Sequence, residues 1–336
     1  MPQPVLLPSM ALNALPVMYS TLAPQTVVDR VVPQYSVPTV RDCQFWHRGL
    51  SDIYLLETVE QPYILRISHS HWRSKAEIEF ELELLDYLRQ RQISVAYPIR
   101  TKDNRLYLEI NAPEGKRYAS LFIYAPGTVP TGDLNAEQAL KLGATVAQMH
   151  QASLGFNSSA ERPALTVDAL LDGSWQVLRP FLNGEDYKYV ASAIAQLKTQ
   201  FQGFPQTAPY WGVCWGDPHS GNAHFTVDGQ VTLFDFDQCG AGWRAFEVGK
   251  FRQVALNTGV SRTIRAAFLA GYTQVNPLDD FEIEAIPGFT QMAHLWVWSI
   301  SLTHAQHHNY SRLDHTFFSI RLQQLKKLRS PDWQQF

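Results

Sequence analysis

The sequence predicts an α+β protein of two lobes, a small β-rich one followed by a larger, mainly helical one. Length and composition come first: 336 residues, 45% hydrophobic and 12% aromatic, exceed one typical domain and can fill two cores. The second observation is a set of short apolar runs between residues 45 and 124, broken by turn residues such as Glu60-Gln61-Pro62. The third is a change of texture beyond about Pro130, where apolar residues recur at helical spacing.

Taken in order, Pro24 followed by Val27, Val28, Val31 and Val32 predicts a short helix over 23–32. Residues 45–68 read as two strands, 51–57 and 63–67. Ile78, Leu82, Leu85 and Leu88 mark an amphipathic helix over 76–91, and further strands follow at 96–100, 106–110 and 118–124. In the second half, helices are predicted over 136–151, 185–201, 244–256, 262–272, 287–308 and 313–329, with short strands between 210 and 236. The corresponding domains are an N-terminal lobe over 1–120 with a helical extension, a hinge over 121–127 and a C-terminal lobe over 128–336.

Composition excludes several classes. The formal charge of −3 and the lack of any block of like charges argue against nucleic acid as a partner. Residues 1–19 lack a basic leader region and are interrupted by Pro2, Pro4, Pro8 and Pro16, so neither a signal peptide nor a membrane span is expected. Cys43, Cys214 and Cys239 are odd in number and form no CxxC pair, which fits reduced thiols in a cytoplasmic protein.

Chemistry is concentrated in Trp215-Gly216-Asp217-Pro218-His219-Ser220-Gly221-Asn222 and in Leu233-Phe234-Asp235-Phe236-Asp237. An Asp and an Asn five apart on a loop, facing an Asp at the end of a short strand, supply one base and two hard-oxygen ligands around a triphosphate. Phosphoryl transfer asks for little more than positioning and charge neutralisation. Any surface turn also uses Asp, Asn, Pro and Gly. Here, however, the turn is flanked by Trp211, Trp215 and Phe225, which would strand three polar groups beside apolar surface without a ligand. A metallohydrolase using Asp217, His219, His224 and Asp235 is the competing chemistry, although no HExxH spacing supports it.

These motifs resemble those of the aminoglycoside phosphotransferase and choline kinase superfamily, with the texture of its stress-response and type II homoserine kinases. Residues 215–222 match its H-G-D-x-H-x-x-N motif, Phe234-Asp235-Phe236-Asp237 its I-D-[FW]-[DE], residues 242–249 its G-x-x-x-x-D-[LI]-A, and residues 142–150 its LGxxxAxxH helix. The resemblance implies a protein-kinase-like fold and an ATP- and Mg2+-dependent kinase. Asp217 would be the base, His219 would order the loop, and Asn222 and Asp235 would hold the metal with Asp237 nearby. On the nucleotide side it implies Ser51 in the phosphate-covering turn, Arg66 in the place of the usual Lys, Glu81 as its helix partner with Glu77 and Glu79 as alternatives, and Phe122 and Tyr124 as hinge aromatics, a role for which plain core packing is the alternative. Arg66, Trp215 and Glu247 depart from the family's Lys, His and Asp, so a nucleotide-binding pseudokinase is the alternative. Trp215 is expected to replace a polar support with apolar packing.

The acceptor hydroxyl is expected on a small metabolite or a protein Ser/Thr. His294, Trp296, Trp298, His304, His307, His308, Tyr310 and Phe317 make an aromatic C-terminal segment that is mostly core. A polycationic aminoglycoside would call for carboxylates studding the helices, whereas Asp279, Asp280, Glu282 and Glu284 are expected to precede them.

Overall fold

The computed structural model describes residues 15–132 and 134–334, leaving aside the side chains of 256 and 257. The N-terminal Pro-rich stretch over 1–19, where no signal peptide is expected, lies mostly outside the described residues. No helix among those described is long and apolar enough to cross a membrane.

The chain divides into two compact units, residues 1–74 with 99–121, and residues 75–98 with 122–336. Unit 1 is built on an antiparallel sheet. Strands β1 (Val40–Arg48), β2 (Ser51–Thr58) and β3 (Pro62–Ser68) form a meander, continued by β6 (Gly115–Ile123) and β4 (Pro98–Ile99), while β5 (Leu108–Ala112) also pairs with β6. Register is set by burial: Tyr54, Leu56, Leu65, Ile67, Ala119 and Leu121 form one apolar layer, closed by Val27 and Val31. Those two valines come from a helical stretch that opens with α1 (Pro24–Thr26) and runs to Gln34, as the valine spacing predicts. The reading of two strands over 45–68 is corrected to three. β1 was missed because its residues are mostly exposed, so the apolar alternation that identifies a half-buried strand is absent.

Unit 2 begins with α2 (Lys75–Gln90), whose Ile78, Leu82, Leu85 and Leu88 are buried as expected. Its helices are α3 (Ala136–Ser153), α4 (Ser174–Leu178), α5 (Gly184–Gln200), α6 (Arg244–Thr258), α7 (Arg262–Val275), α8 (Asp280–His308) and α9 (His315–Leu328). Asn135 and Gln138 close a capping box at the start of α3. The core joins α4, α5, α6, α8 and α9 through residues such as Phe246, Phe289, Trp243 and Trp298, with Trp296 and Phe317 partly buried against it. The expectation that most of the C-terminal aromatic segment is core is corrected: His294 and Trp298 are buried, whereas His307 and Tyr310 are exposed because they lie at and beyond the end of α8.

Helix α8 starts at Asp280, about two turns before the expected Pro287. Asp279 and Glu282 form a capping box there, and Glu282 also takes a two-pronged pair from Arg244 at 2.9 and 2.6 Å. The acidic residues expected to precede the helix are therefore its cap and first turns, a structural use of charge.

Helices α3 and α7 pack at backbone distance. A Cβ on Gly143 would lie 2.0 Å from the carbonyl oxygen of Phe268, and one on Gly271 only 1.9 Å from that of Leu140. Glycine is required at both points by contact.

Two two-stranded elements frame the loop of interest. β7 (Trp211–Cys214) pairs with β10 (Gly240–Trp243), and β8 (Ala223–Phe225) pairs with β9 (Val231–Leu233). Residues 215–222 thus connect β7 to β8, and residues 234–239 connect β9 to β10.

Candidate active site

The loop between β7 and β8 is held from several sides. Gly216 sits at φ 90°, where a Cβ would strike the carbonyl oxygen of Gln238 at 2.1 Å. Its amide and that of Trp215 both donate to the buried carboxylate of Glu247, at 2.9 and 2.5 Å. Glu247 also accepts from His150 Nε2 at 3.2 Å, and His150 Nδ1 accepts from the Tyr272 hydroxyl at 2.6 Å. The LGxxxAxxH histidine of α3 therefore supports the loop through the carboxylate of α6. Lengthening the family's Asp to Glu keeps this role.

Trp215 corrects an expectation. Its indole Nε1–H donates to the carbonyls of Phe234 and Asp235 at 2.9 and 3.1 Å, so it keeps a polar support while its ring packs against Phe236. The side chain thereby ties one chemical segment to the other. Phe234 N–H donates to the carbonyl of Asn222 at 3.0 Å, a second tie at the far end of the loop.

Around Asp217 the side chains converge. Asn222 Nδ2 donates to its Oδ2 at 3.3 Å and to its backbone carbonyl at 3.2 Å, and Gln238 Nε2 donates to Oδ2 at 3.2 Å. His219 Nε2 lies 3.5 Å from Oδ2, while its Nδ1 accepts from the Gly221 amide at 3.0 Å. Oδ1 takes a short bond from the ammonium of Lys250, a side chain only 1% exposed. Burial alone would raise the Asp217 carboxyl, but Lys250 and His219 outweigh it and hold the group well below the usual carboxylate range.

The structure thus brings Asp217, His219 and Asn222 together, as the spacing implies. Asp235 follows β9 with a left-handed φ of 57°, sparsely populated for a residue with a Cβ and frequent at functional sites. Asp237 is buried, and its carbonyl accepts from Arg162. Asn222 spends its amide nitrogen on Asp217. Its amide oxygen and the carboxylate of Asp235 are both hard-oxygen donors, the chemistry that suits a divalent cation such as Mg2+. Lys250 and Gln238 were missed by sequence reasoning. Lys250 lies three residues past Glu247 on α6, so one helical face serves both the loop backbone and its carboxylate.

Other predicted residues are placed as follows. In unit 1, Ser51 opens β2 and its carbonyl accepts from the Gly49 amide at 3.0 Å. The neighbouring Arg48 bonds Thr21 and lies over the Tyr19 ring at 4.4 Å. Arg66 is half-buried on β3, opposite Ile53. In unit 2, Glu81 is buried on α2. Phe122 is buried, and Tyr124 lies against His224 with ring centroids 5.2 Å apart. His224 Nδ1–H donates to the carbonyl of Ala125 at 2.6 Å, bracing the segment expected as the hinge. All three cysteines are unbridged thiols.

Comparison with known proteins agrees with this geometry. A family model described as "Phosphotransferase enzyme family" matches residues 42–285. An uncharacterized protein of Synechocystis is 49% identical over 100% of this chain and 93% of its own. The amicoumacin kinase of Bacillus subtilis is 26% identical over 71% of this chain and 74% of its own. The solved amicoumacin kinase hAmiN, in complex with AMP-PNP, Ca2+ and Ami, superposes with a TM-score of 0.77 at 22% identity, covering 93% of each chain. The fold is therefore the kinase-like one expected, and the chain belongs to the phosphotransferase enzyme family as a kinase.

Proposed function

We propose that this kinase moves the γ-phosphoryl group of ATP onto a hydroxyl of a small organic molecule, with Asp217 as the base and Asn222 and Asp235 as the Mg2+ ligands. The observation that carries the reading is the convergence of Asp217, Asn222 and His219 on one loop, tied by Trp215 to the backbone of Asp235. In this reading Asp217 orients the acceptor hydroxyl and receives its proton late, as suits a transition state with little bonding to the nucleophile. His219 orders the loop and Asp237 stands behind Asp235. The metal, when bound, neutralises charge on the phosphates.

A small acceptor is favoured over a protein side chain because the amicoumacin kinases named above carry a small molecule in their names. The metallohydrolase reading has no HExxH spacing behind it. The pseudokinase reading loses two of its three motives, because Trp215 and Glu247 both support the loop. The same proposal assigns Ser51 and Arg66 to nucleotide phosphates, Glu81 to orienting Arg66, and Phe122 and Tyr124 to the base.

The test is Mg2+-dependent conversion of ATP to ADP across a panel of amino alcohols, hydroxy amino acids and hydroxylated antibiotics. Asp217→Asn should lower kcat by about 100-fold or more. Turnover that survives this substitution unchanged would remove the assignment.

A further inference from the structure

Lys250 is buried at the centre of the site, and no motif used above assigns it. Burying an ammonium beside a carboxylate seldom adds net stability, since desolvation consumes most of the attraction. Holding Asp217 in place does not need a charge either, because Asn222 and Gln238 already donate to its other oxygen. The position of Lys250 suggests a further use. Resting on the kinase reading above, an acceptor oxygen within about 3 Å of Asp217 would have the γ-phosphorus about 3–3.5 Å beyond it. A cation bonded to Asp217 Oδ1 then lies within reach of the non-bridging phosphoryl oxygens.

We propose that Lys250 contacts the transferring phosphoryl group, bridging the base carboxylate and a γ-phosphoryl oxygen. In the step, the bond between the acceptor oxygen and the γ-phosphorus forms. The bond from that phosphorus to the β–γ bridging oxygen breaks, with its electron pair leaving on ADP. The acceptor proton passes to Asp217, and Lys250 gives up none. Its charge offsets the repulsion between the Asp217 carboxylate and the anionic phosphoryl group. It also stabilises the negative charge spread over the three equatorial oxygens. No other Lys or Arg is paired with Asp217 among the described residues.

Three variants, Lys250→Met, Lys250→Gln and Lys250→Arg, test this alongside Asp217→Asn and the Asp217→Asn/Lys250→Met double. Steady-state assays should show Lys250→Met losing about 100- to 1000-fold in kcat with KM for ATP changed less than threefold. Lys250→Arg should recover at least tenfold of that loss. Thermal shift supplies a readout without turnover: ADP and Mg2+ with tetrafluoroaluminate should stabilise the wild type beyond ADP and Mg2+ alone, and this increment should vanish in Lys250→Met. The double variant should be at least tenfold slower than Asp217→Asn, because the phosphoryl contact survives loss of the carboxylate.

If Lys250 only orients Asp217, the double variant will match Asp217→Asn and the fluoroaluminate increment will persist, which overturns the proposal. Should Lys250→Met fail to fold, Lys250→Gln decides, since it keeps a hydrogen bond to Asp217 without the charge; wild-type turnover in that variant overturns the proposal as well. A normal rate in Asp217→Asn would instead sink the kinase reading of the site, and the two failures are thereby told apart.

Discussion

Glu247 on α6 spans two consecutive backbone amides of the β7–β8 loop, those of Trp215 and Gly216. With His150 on its remaining side, all three of the bonds this carboxylate accepts, from His150, Trp215 and Gly216, come from groups that help place Asp217. Glu247→Gln presents one acceptor oxygen where two are needed, leaving a buried amide without its partner. The variant should lose about 1.5–3 kcal/mol in urea unfolding and lower kcat more than it raises KM for ATP. Unchanged stability would mean the loop holds its shape without the clamp.

Trp215→Phe keeps an aromatic ring near Phe236 but removes the donor to the carbonyls of Phe234 and Asp235. The expected stability loss is about 1–2 kcal/mol. Because the lost bonds set the backbone at 235, the Mg2+ concentration giving half-maximal rate should rise severalfold. A variant that titrates with Mg2+ like the wild type would show that the indole acts by packing alone.

His294 on α8 gives a pH prediction. Burial depresses its imidazole from 6.5 to about 4, opposed by a bond from Nε2–H to the Arg321 carbonyl at 2.8 Å and assisted by the charge of Arg321. Above pH 6.5 the folded and unfolded chains are both neutral here, and the group has no effect. As pH falls below 6.5, the unfolded chain binds a proton that the folded one refuses, so stability declines until about pH 4. The total is about 3 kcal/mol. Subtracting the pH–stability curve of His294→Gln from that of the wild type isolates this slope; a flat difference between pH 7 and 4 would contradict it.

In unit 1, Arg117 and Asp52 form a fully buried pair at 2.8 Å, and Arg117 also serves the carbonyls of Ser20 and Ser68. Burial would raise the Asp52 carboxyl, but bonds from His69, Arg117 and Tyr19, with the charge of Arg117, lower it to about 2. That contribution is present above about pH 3.8 and lost as pH falls toward 2. Arg117→Met strands the carboxylate and should cost about 3–5 kcal/mol. Its acid unfolding should begin at higher pH, measured by circular dichroism.

Much of this was legible in the letters. Local rules suffice where a helix buries one stripe, as α2 does with Ile78, Leu82, Leu85 and Leu88, and where Asp217 and Asn222 are spaced within one loop. They fail where the cause is distant. β1 is a strand because β2 pairs with it, while its own residues face outward. Pro287 looks like a helix start, yet the cap at Asp279 fixes the start upstream. Lys250 reaches Asp217 across 33 residues of chain, a separation that no local spacing encodes.

The glycine crossing of α3 and α7 has a consequence for how mutations will act. With main chain resting on main chain at Gly143 and Gly271, neither rod can slide past the other, so the meeting of His150 with Tyr272 is fixed by skeleton instead of by adjustable side chains. The steadiness of the Asp217 carboxylate is thus inherited from two positions that carry no functional group. An added methyl there would injure the enzyme from a distance, as heat-sensitive lesions do, while leaving Asp217, His219 and Asn222 unchanged in the sequence.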